Sequence, residues 1–490
     1  MSASSPRFVD RQIELDELRA LSARPGPALA LLYGRRRVGK TYLLDEAWAD
    51  AERFYYLATD STPARNRMEL IRELAGWTGR DHQPEDFPTW RTVFRHLAGL
   101  TGERPLVVVL DEFPYLMGDE DDDVVSQLAA VWDREVRDRD LTLVLCGSTV
   151  GTMERLRSGD SALYGRIDWM ARLRPFDYLD TARMVADRPA REAARVYGIF
   201  GGTPRYLSAI RPGEPLGSEV SRTVLSPRGE VHLQLAHLLE QEQGIRRTGE
   251  YRAVLAAVAE GNTGTNEIAG AAGLQGSPHV ARRALETLEE LELVRRERLF
   301  DAGPRSPWRN RIAEPAVEFW HRFVEPSRAR LETGGDPKGV WEDSVAPHLS
   351  TYMGRIFERM CRQAYVRHYE DWGLPGADEW ARWEGQDRNG RDIEVDVVAR
   401  LADGRLLAGE IKWSSRPVDV RLHHGLTRDL EDLANSGRGW ARRARDPETS
   451  AGRIYFSAAG FTDRFRSTVD DEETASRLLD LQDLYQNRHR

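Results

Sequence analysis

Apolar positions follow two rhythms along this chain. Short apolar runs at Ala28–Tyr33 and Val107–Leu110, and one at 141–146 interrupted only by Thr142, are set off by glycine or charged residues, the pattern of parallel strands. Elsewhere the period is helical. Leu43, Leu44 and Ala47 follow the first run; Val254, Leu255 and Val258 give a helical face that Gly261 stops. Thr265 can cap a short second helix containing Ile268, and Ser277 with Pro278 opens a third carrying Val280, Ala284, Leu285, Leu288 and Leu291. "LVRRERLF" then reads as a strand entering a hairpin, so this region predicts a winged helix-turn-helix. Further on, Phe357, Met360, Cys361, Ala364 and Tyr365 line one side of an amphipathic helix, and two strand patterns, "DIEVDVVARL" and "RLLAGEIKW", flank "ADG". Glu332–Gly339, rich in Gly, Pro and Asp, reads as a linker. The expected organisation is a multidomain α/β chain: an α/β core over 1–176, a helical lid over 177–245, the winged helix-turn-helix over 246–313, a connector over 314–345 and a second α/β domain over 346–490.

Composition narrows the class. With 490 residues, 40% hydrophobic and 30% charged, the chain reads as an ordinary soluble multidomain protein. No apolar run approaches membrane-spanning length and Met1–Gln12 lacks the apolar core of a signal peptide, so a cytoplasmic location without membrane contact is expected. Cys146 and Cys361 sit in apolar segments and are expected as buried thiols; no Cys/His cluster has zinc spacing. A net charge of −9 argues against coating nucleic acid by bulk attraction but leaves room for a local basic face. The acidic run Asp119–Asp123 reads as a solvated loop. One bias stands out: of 70 basic residues only Lys40, Lys338 and Lys412 are lysine.

Lys40 sits where a lysine has a function. "GRRRVGKT" gives Gly34, four residues, then Gly39-Lys40-Thr41, between a strand and a helix: the setting of a phosphate-binding loop. Glycines let the backbone N–H groups of the loop, Arg35 and Val38 among its residues, curl round phosphates at the helix's positive end. Lys40 would reach the β- and γ-phosphates of ATP and Thr41 would ligate Mg²⁺. Val107–Leu110 delivers Asp111 and Glu112 to a strand's carboxyl end, Asp111 to hold Mg²⁺ through water and Glu112 to polarise the attacking water. Ser148, ending the third run, suits either a γ-phosphate sensor or a helix cap.

These motifs, together with "FVDRQIELDEL" (Phe8–Leu18), "LDEFPYL", "CGST", "LYGRIDWMARLRPF" (Leu163–Phe176) and "GGTPRYL" (Gly201–Leu207), resemble the archaeal-type ATPases, a branch of the AAA+/STAND class of P-loop proteins. The resemblance implies that Arg166 senses or stabilises the γ-phosphate and that Pro204 packs near the adenine. In the winged helix, Arg282 and Arg283 on the third helix and Arg295, Arg296 and Arg298 on the wing side would meet DNA, diluted by Glu286, Glu289, Glu290 and Glu292. The competing reading of this module is a connector packed on the ATPase.

Loop length decides what the C-terminal hairpin presents. A three-residue loop, Ala402-Asp403-Gly404 with the glycine left-handed, sets Val395 against Ile411, Val397 against Gly409 and Ala399 against Leu407, one apolar face. The other face then pairs Asp396 with Glu410 and Glu394 with Lys412. Facing carboxylates repel unless a cation lies between them, and Mg²⁺ suits them. Lys412 would orient or help deprotonate a water attacking a phosphodiester; arginine, always charged and spread out, would not. "EVDVVA…GEIKW" resembles the PD-(D/E)xK nuclease superfamily, which implies a restriction-endonuclease-like fold with Glu358 as an additional metal ligand. The expected function is an ATP-driven, Mg²⁺-dependent switch coupled to a DNA-directed nuclease. The rivals are an ATP-dependent regulator or scaffold with a silent nuclease fold and an ATPase acting on protein. Nucleic acid, DNA above RNA, is the expected partner, with room for a homo-oligomer or a protein partner.

Overall fold

A computed structural model describes residues 9–101, 105–117, 122–186, 188–242, 245, 247–472 and 474–486, with only the backbone of 122 and 123. Phe8 lies outside these residues, as does the acidic run Asp119–Asp123 apart from that backbone. The chain divides into two compact units, Met1–Pro175 and Phe176–Arg490.

In the first unit, five parallel strands, β1 (Ala28–Tyr33), β2 (Arg53–Leu57), β3 (Leu106–Asp111), β4 (Leu141–Gly147) and β5 (Trp169–Arg172), stand in the order β2-β3-β4-β1-β5. The apolar runs have a physical cause, since helices cover both faces. Leu29, Leu31, Tyr33, Val108, Leu110, Leu143 and Leu145 pack under the helices Pro63–Thr78, Trp90–Gly99 and Asp122–Glu135. Ala30, Leu32, Val107, Val109, Val144 and Cys146 pack under Gln12–Ala23 and Lys40–Ala47. Because every strand runs the same way, the segments after β1, β3 and β4 all emerge at one edge of the sheet.

The second unit begins with short helices, among them Tyr178–Met184 and Ala190–Phe200, and continues with Thr248–Glu260, Thr265–Ala271 and Pro278–Glu290. Gly261 ends the first of these three at φ 113°, as its place after Val258 suggested. The second starts one residue earlier than expected: Gly264 is its cap, and Glu267 accepts the Gly264 N–H at 3.0 Å. Ser277 makes no side-chain cap bond. Ala281, rather than Val280, joins Ala284, Leu285 and Leu288 inside. An antiparallel hairpin follows, β6 (Val294–Glu297) with β7 (Arg309–Ile312).

The helix Ala346–His368, with Phe357, Met360, Cys361, Ala364 and Tyr365 buried as patterned, leads into β8 (Ala377–Gln386), β9 (Asp392–Leu401), β10 (Leu406–Lys412), β11 (Ser450–Ser457) and β12 (Ser476–Asp480). Their order is β12-β11-β10-β9-β8, with β8-β9-β10 antiparallel and β10-β11-β12 parallel. Of Glu332–Gly339 only residues 333–336 lie outside helices, and Asp336 caps the next helix, Pro337–Val340, through the N–H groups of Lys338 and Gly339. The segments on the two sides of 332–339 pack together. Phe300, from the β6–β7 loop, sits in the core cluster of the C-terminal sheet with Trp383 and Trp440. Tyr352 donates to the carbonyls of Gly198 (2.7 Å) and Pro315 (3.1 Å).

This unit carries a pH liability. His321 is buried with its Nδ1 unpartnered, and burial, helped by Arg252, pushes its pKa down to about 3. The unfolded chain takes up that proton near pH 6.5 while the folded one does not. Stability should therefore fall as pH drops below about 6.5, by up to ~1.4 kcal/mol per pH unit for this proton. Denaturant titrations at pH 7 and pH 5 should show the loss, and His321→Leu should flatten it.

Candidate active sites

The loop after β1 is built by three backbone choices. Gly34 passes so close to Leu173 that a Cβ would stand 2.1 Å from its carbonyl oxygen, and Gly39, at φ 99°, turns into the helix Lys40–Ala47. Arg37 also takes a left-handed conformation, φ 70°. The Lys40 ammonium folds over the loop, donating to the Gly34 (2.8 Å) and Arg35 (3.1 Å) carbonyls. The loop N–H groups and the helix's positive end thus meet a buried cation at the sheet's carboxyl edge.

Strand β3 brings the acids to the same edge. Asp111 is 4% exposed; its Oδ2 lies 3.4 Å from the Thr41 hydroxyl and accepts the Tyr55 hydroxyl. Burial, then the neighbouring Asp111, pushes the Tyr55 pKa up, so Tyr55 stays a donor. Glu112 leaves the strand at φ 51°, a backbone region costly for glutamate. The turn aims its carboxylate at Ser148, whose N–H (3.1 Å) and hydroxyl (2.8 Å) both donate to it. Arg36 donates to the Ser148 hydroxyl at 3.4 Å and to Tyr115 at 3.0 Å. Lys40, Thr41, Asp111, Glu112 and Ser148 are therefore brought together. Tyr55 and Arg36 were missed; an aromatic at β2's carboxyl half and a basic residue inside the loop were the available signals.

Arg166 is not brought there. It precedes β5, where Asp168 exchanges hydrogen bonds with Leu29 near the start of β1 (2.8 and 2.9 Å). That is the sheet's amino edge, separated from the loop by the length of a six-residue strand, about 20 Å. Its guanidinium is engaged two-fold by Asp133, at 2.9 and 2.7 Å. Pro204 belongs to the second unit and opens the short helix Pro204–Leu207. Before it, Gly202 donates to Glu314 at 3.1 Å and leaves no room for a Cβ beside Phe176.

The second constellation lies in the C-terminal sheet. Leu401 and Arg405 close the loop at 2.9 Å, Gly404 is left-handed at φ 82°, and the register runs Leu407↔Ala399 and Gly409↔Val397, as the apolar pattern required. Beyond Gly409 the ladder changes. On its other side β9 carries a bulge, because Arg382 of β8 alone faces both Asp396 and Val397. The bulge overturns the expected facing: Val395 joins Val398 in the core under the helices Arg421–Asn435 and Gly439–Arg445, where strict alternation would separate them.

The bulge also frees Asp396 to turn to the hairpin's end. Its Oδ2 accepts the Ile411 N–H at 3.0 Å, taking the place of a ladder carbonyl, and accepts the Lys412 ammonium at 3.0 Å. The same ammonium lies 2.9 Å from Glu410. Asp396 and Glu410 thus meet across the hairpin, joined by Lys412. Glu394 does not pair with Lys412; Arg382 takes it, and also reaches Glu384 at 3.2 Å. Burial, then Asp396, pushes the Glu410 carboxyl up to about 8. Burial alone would lower the Lys412 pKa, but Asp396 and Glu410 together raise it, so the amine is held protonated. Glu358 lines the same cleft as Asp396, and Arg382 lies 3.9 Å from each of them; burial, more than the neighbouring Asp396, pushes the Glu358 carboxyl up. Among the described residues no group of three or more His, Cys, Asp or Glu could hold a metal ion.

Parallel sheet, glycine loop and the Asp111-Glu112 edge define a P-loop ATPase domain. Residues 8–210 match the profile of an ATPase domain found predominantly in Archaea, and residues 320–423 match a family of archaeal and bacterial proteins of unknown function. An uncharacterised protein of Methanocaldococcus jannaschii is 24% identical over 413 residues, covering 83% of this chain and 87% of that one. The Walker-type ATPase PABY2304 of Pyrococcus abyssi shares the fold at 22% identity, with a TM-score of 0.50 over 65% of this chain and 99% of its own. ATP binding and hydrolysis are the activity these matches support. No helix among the described residues is long and apolar enough to cross a membrane.

The division of labour at the ATP site gives a direct test. If the loop holds the phosphates and Glu112 polarises the attacking water, Glu112→Gln should still bind ATP while turnover falls about 100-fold. Binding by isothermal titration and steady-state phosphate release separate the two; equal turnover would remove Glu112 from that role.

Proposed function

We propose that this protein is an ATP-driven, Mg²⁺-dependent switch whose second unit hydrolyses phosphodiester bonds in nucleic acid, DNA foremost. The observation that carries this reading is the single ammonium of Lys412 shared by Asp396 and Glu410. With Glu410 pushed up to about 8, the site is close to neutral near pH 7, and a cation entering between the acids would displace that proton and leave two carboxylates against one amine. The site's oxygen donors fit Mg²⁺, which needs few carboxylates and keeps several waters. Asp396 and Glu410 would hold the ion; Glu358, drawn to Arg382, is not needed. Bound there, the ion would supply a nucleophilic water and polarise the phosphoryl oxygen. The chain's own contribution is positional: the Ile411 N–H fixes Asp396, and Lys412 donates to water or phosphate as it leaves the acids. The order long helix, three antiparallel strands, helices, parallel strand supports a restriction-endonuclease-like reading of 346–490.

At the first site Thr41 and Asp111 offer oxygen to a second Mg²⁺ beside the phosphates. The helices between 248 and 290 with the β6–β7 hairpin support a winged helix-turn-helix, with Arg282 and Arg283 exposed on its third helix. Arg166, at the far edge of its own sheet, could meet a γ-phosphate only in a second copy of the chain, which favours a homo-oligomer. Supercoiled plasmid and labelled oligonucleotides incubated with the full chain, Mg²⁺, and no nucleotide, ATP or a non-hydrolysable analogue test the proposal. Cutting is expected from the wild type; its absence under every condition would leave an ATP-dependent regulator or scaffold.

A further inference from the structure

A cleft of about 340 Å³ in the second unit lies between the β6–β7 hairpin, the helix Ala346–His368 and β8, and reaches Asp396 and Ile411. Nine arginines and six carboxylates line it, an excess of three positive charges in a chain whose net charge is −9. The arginines are arranged against one another. Arg295 and Arg311 stand directly opposite on the hairpin, a like-charge pairing that costs stability, and Glu297 is their shared carboxylate. Facing them, Arg355, Arg359 and Arg362 form one stripe of the long helix at spacings of three and four. Arg359 is tied to the Ile312 and Ala313 carbonyls, whereas Arg362 has no hydrogen bond or ion pair among the described residues. Of the wing-side arginines expected to meet DNA, Arg295 is drawn into this cluster, whereas Arg296 is exposed and pairs with Glu289. Burial, with Arg359 and Arg362 adding to it, pushes Arg295 down to about 10.

A polyanion is the ligand that relieves such crowding, and guanidinium forks match phosphate oxygens two at a time. The volume holds about one nucleotide and excludes a duplex. We propose that this cleft binds a nucleotide phosphate at the end of a single nucleic-acid strand, and so feeds the next phosphodiester to Asp396, Glu410 and Lys412. The proposal deepens the phosphodiesterase reading and rests on it for the second half only.

Fluorescence anisotropy of the full chain with a 5′-phosphorylated, 3′-fluorescein oligothymidylate in EDTA measures binding apart from cutting. Arg295→Gln/Arg362→Gln should weaken binding at least tenfold and lower the salt slope by about 0.7 for each phosphate no longer neutralised, with ATP turnover unchanged. Arg362→Gln alone, at an exposed position with no partner among the described residues, should move in the same direction and guards against misfolding. Competition by a blunt hairpin duplex should be weak; competition by thymidine monophosphate as strong as the strand's would make the free nucleotide the ligand of the same cleft and overturn the strand-end assignment. Unchanged binding in both variants, or a blunt duplex competing as well as the strand, would overturn the proposal. Failure of the arginine variants leaves cleavage at Asp396 untouched, and absence of cleavage leaves the cleft's binding intact.

Discussion

Lys40→Ala is expected to reduce ATP affinity at least 100-fold and to abolish turnover. The ammonium, already poised over the loop by the Gly34 and Arg35 carbonyls, would exchange those neutral acceptors for phosphate oxygens. A hydrogen bond between charged groups contributes about 3 kcal/mol, and about 1.4 kcal/mol is tenfold in affinity. The alanine variant also leaves two carbonyls of a tight loop without their donor, so the loop itself loosens. Titration calorimetry with ATP and Mg²⁺ measures the first effect. Wild-type affinity in the variant would mean that the nucleotide binds elsewhere.

Asp396→Asn is expected to abolish phosphodiester cleavage, a loss of about a thousandfold or more, while the protein remains folded. The amide oxygen can still accept the Ile411 N–H that ends the β9–β10 ladder, but the charge that would hold Mg²⁺ is gone. Asp396→Ala would lose both, and is the poorer variant because it strands a backbone donor. Lys412→Arg is the sharper companion. A guanidinium cannot place one compact charge between two carboxylates 3.0 and 2.9 Å from a single nitrogen, so Lys412→Arg should be as inactive as the uncharged Lys412→Met. Plasmid nicking and oligonucleotide cleavage, with thermal unfolding to verify folding, read both. Activity retained in Lys412→Arg would remove the lysine from the chemistry and leave its rarity unexplained.

Much of this was legible because it rests on local rules. Gly34, Gly39, Lys40 and Thr41 share one short segment, and a strand-to-helix turn needs no distant residue to form. The hairpin register followed from the left-handed Gly404 and from keeping apolar side chains together. The bulge did not follow: it is a mismatch with another strand, where Arg382 of β8 alone stands opposite two residues of β9. That one irregularity removed Glu394 from Lys412, turned Val395 to the other face and freed Asp396 to reach across. Arg166 likewise reads as a phosphate ligand only until β5 runs parallel to β1 and carries it to the opposite edge.

By itself the sequence determined the main strands and helices, the phosphate loop, the two acids at the end of β3 and the three-residue turn between β9 and β10, since each depends on neighbours within a few residues. Only the tertiary structure decided which charges meet. It gave Lys412 to both acids, Glu394 to Arg382 and Arg295 to an inner cleft. Charge pairs form over a few ångströms between elements whose separation in sequence carries no period or motif, so nothing along the chain records them.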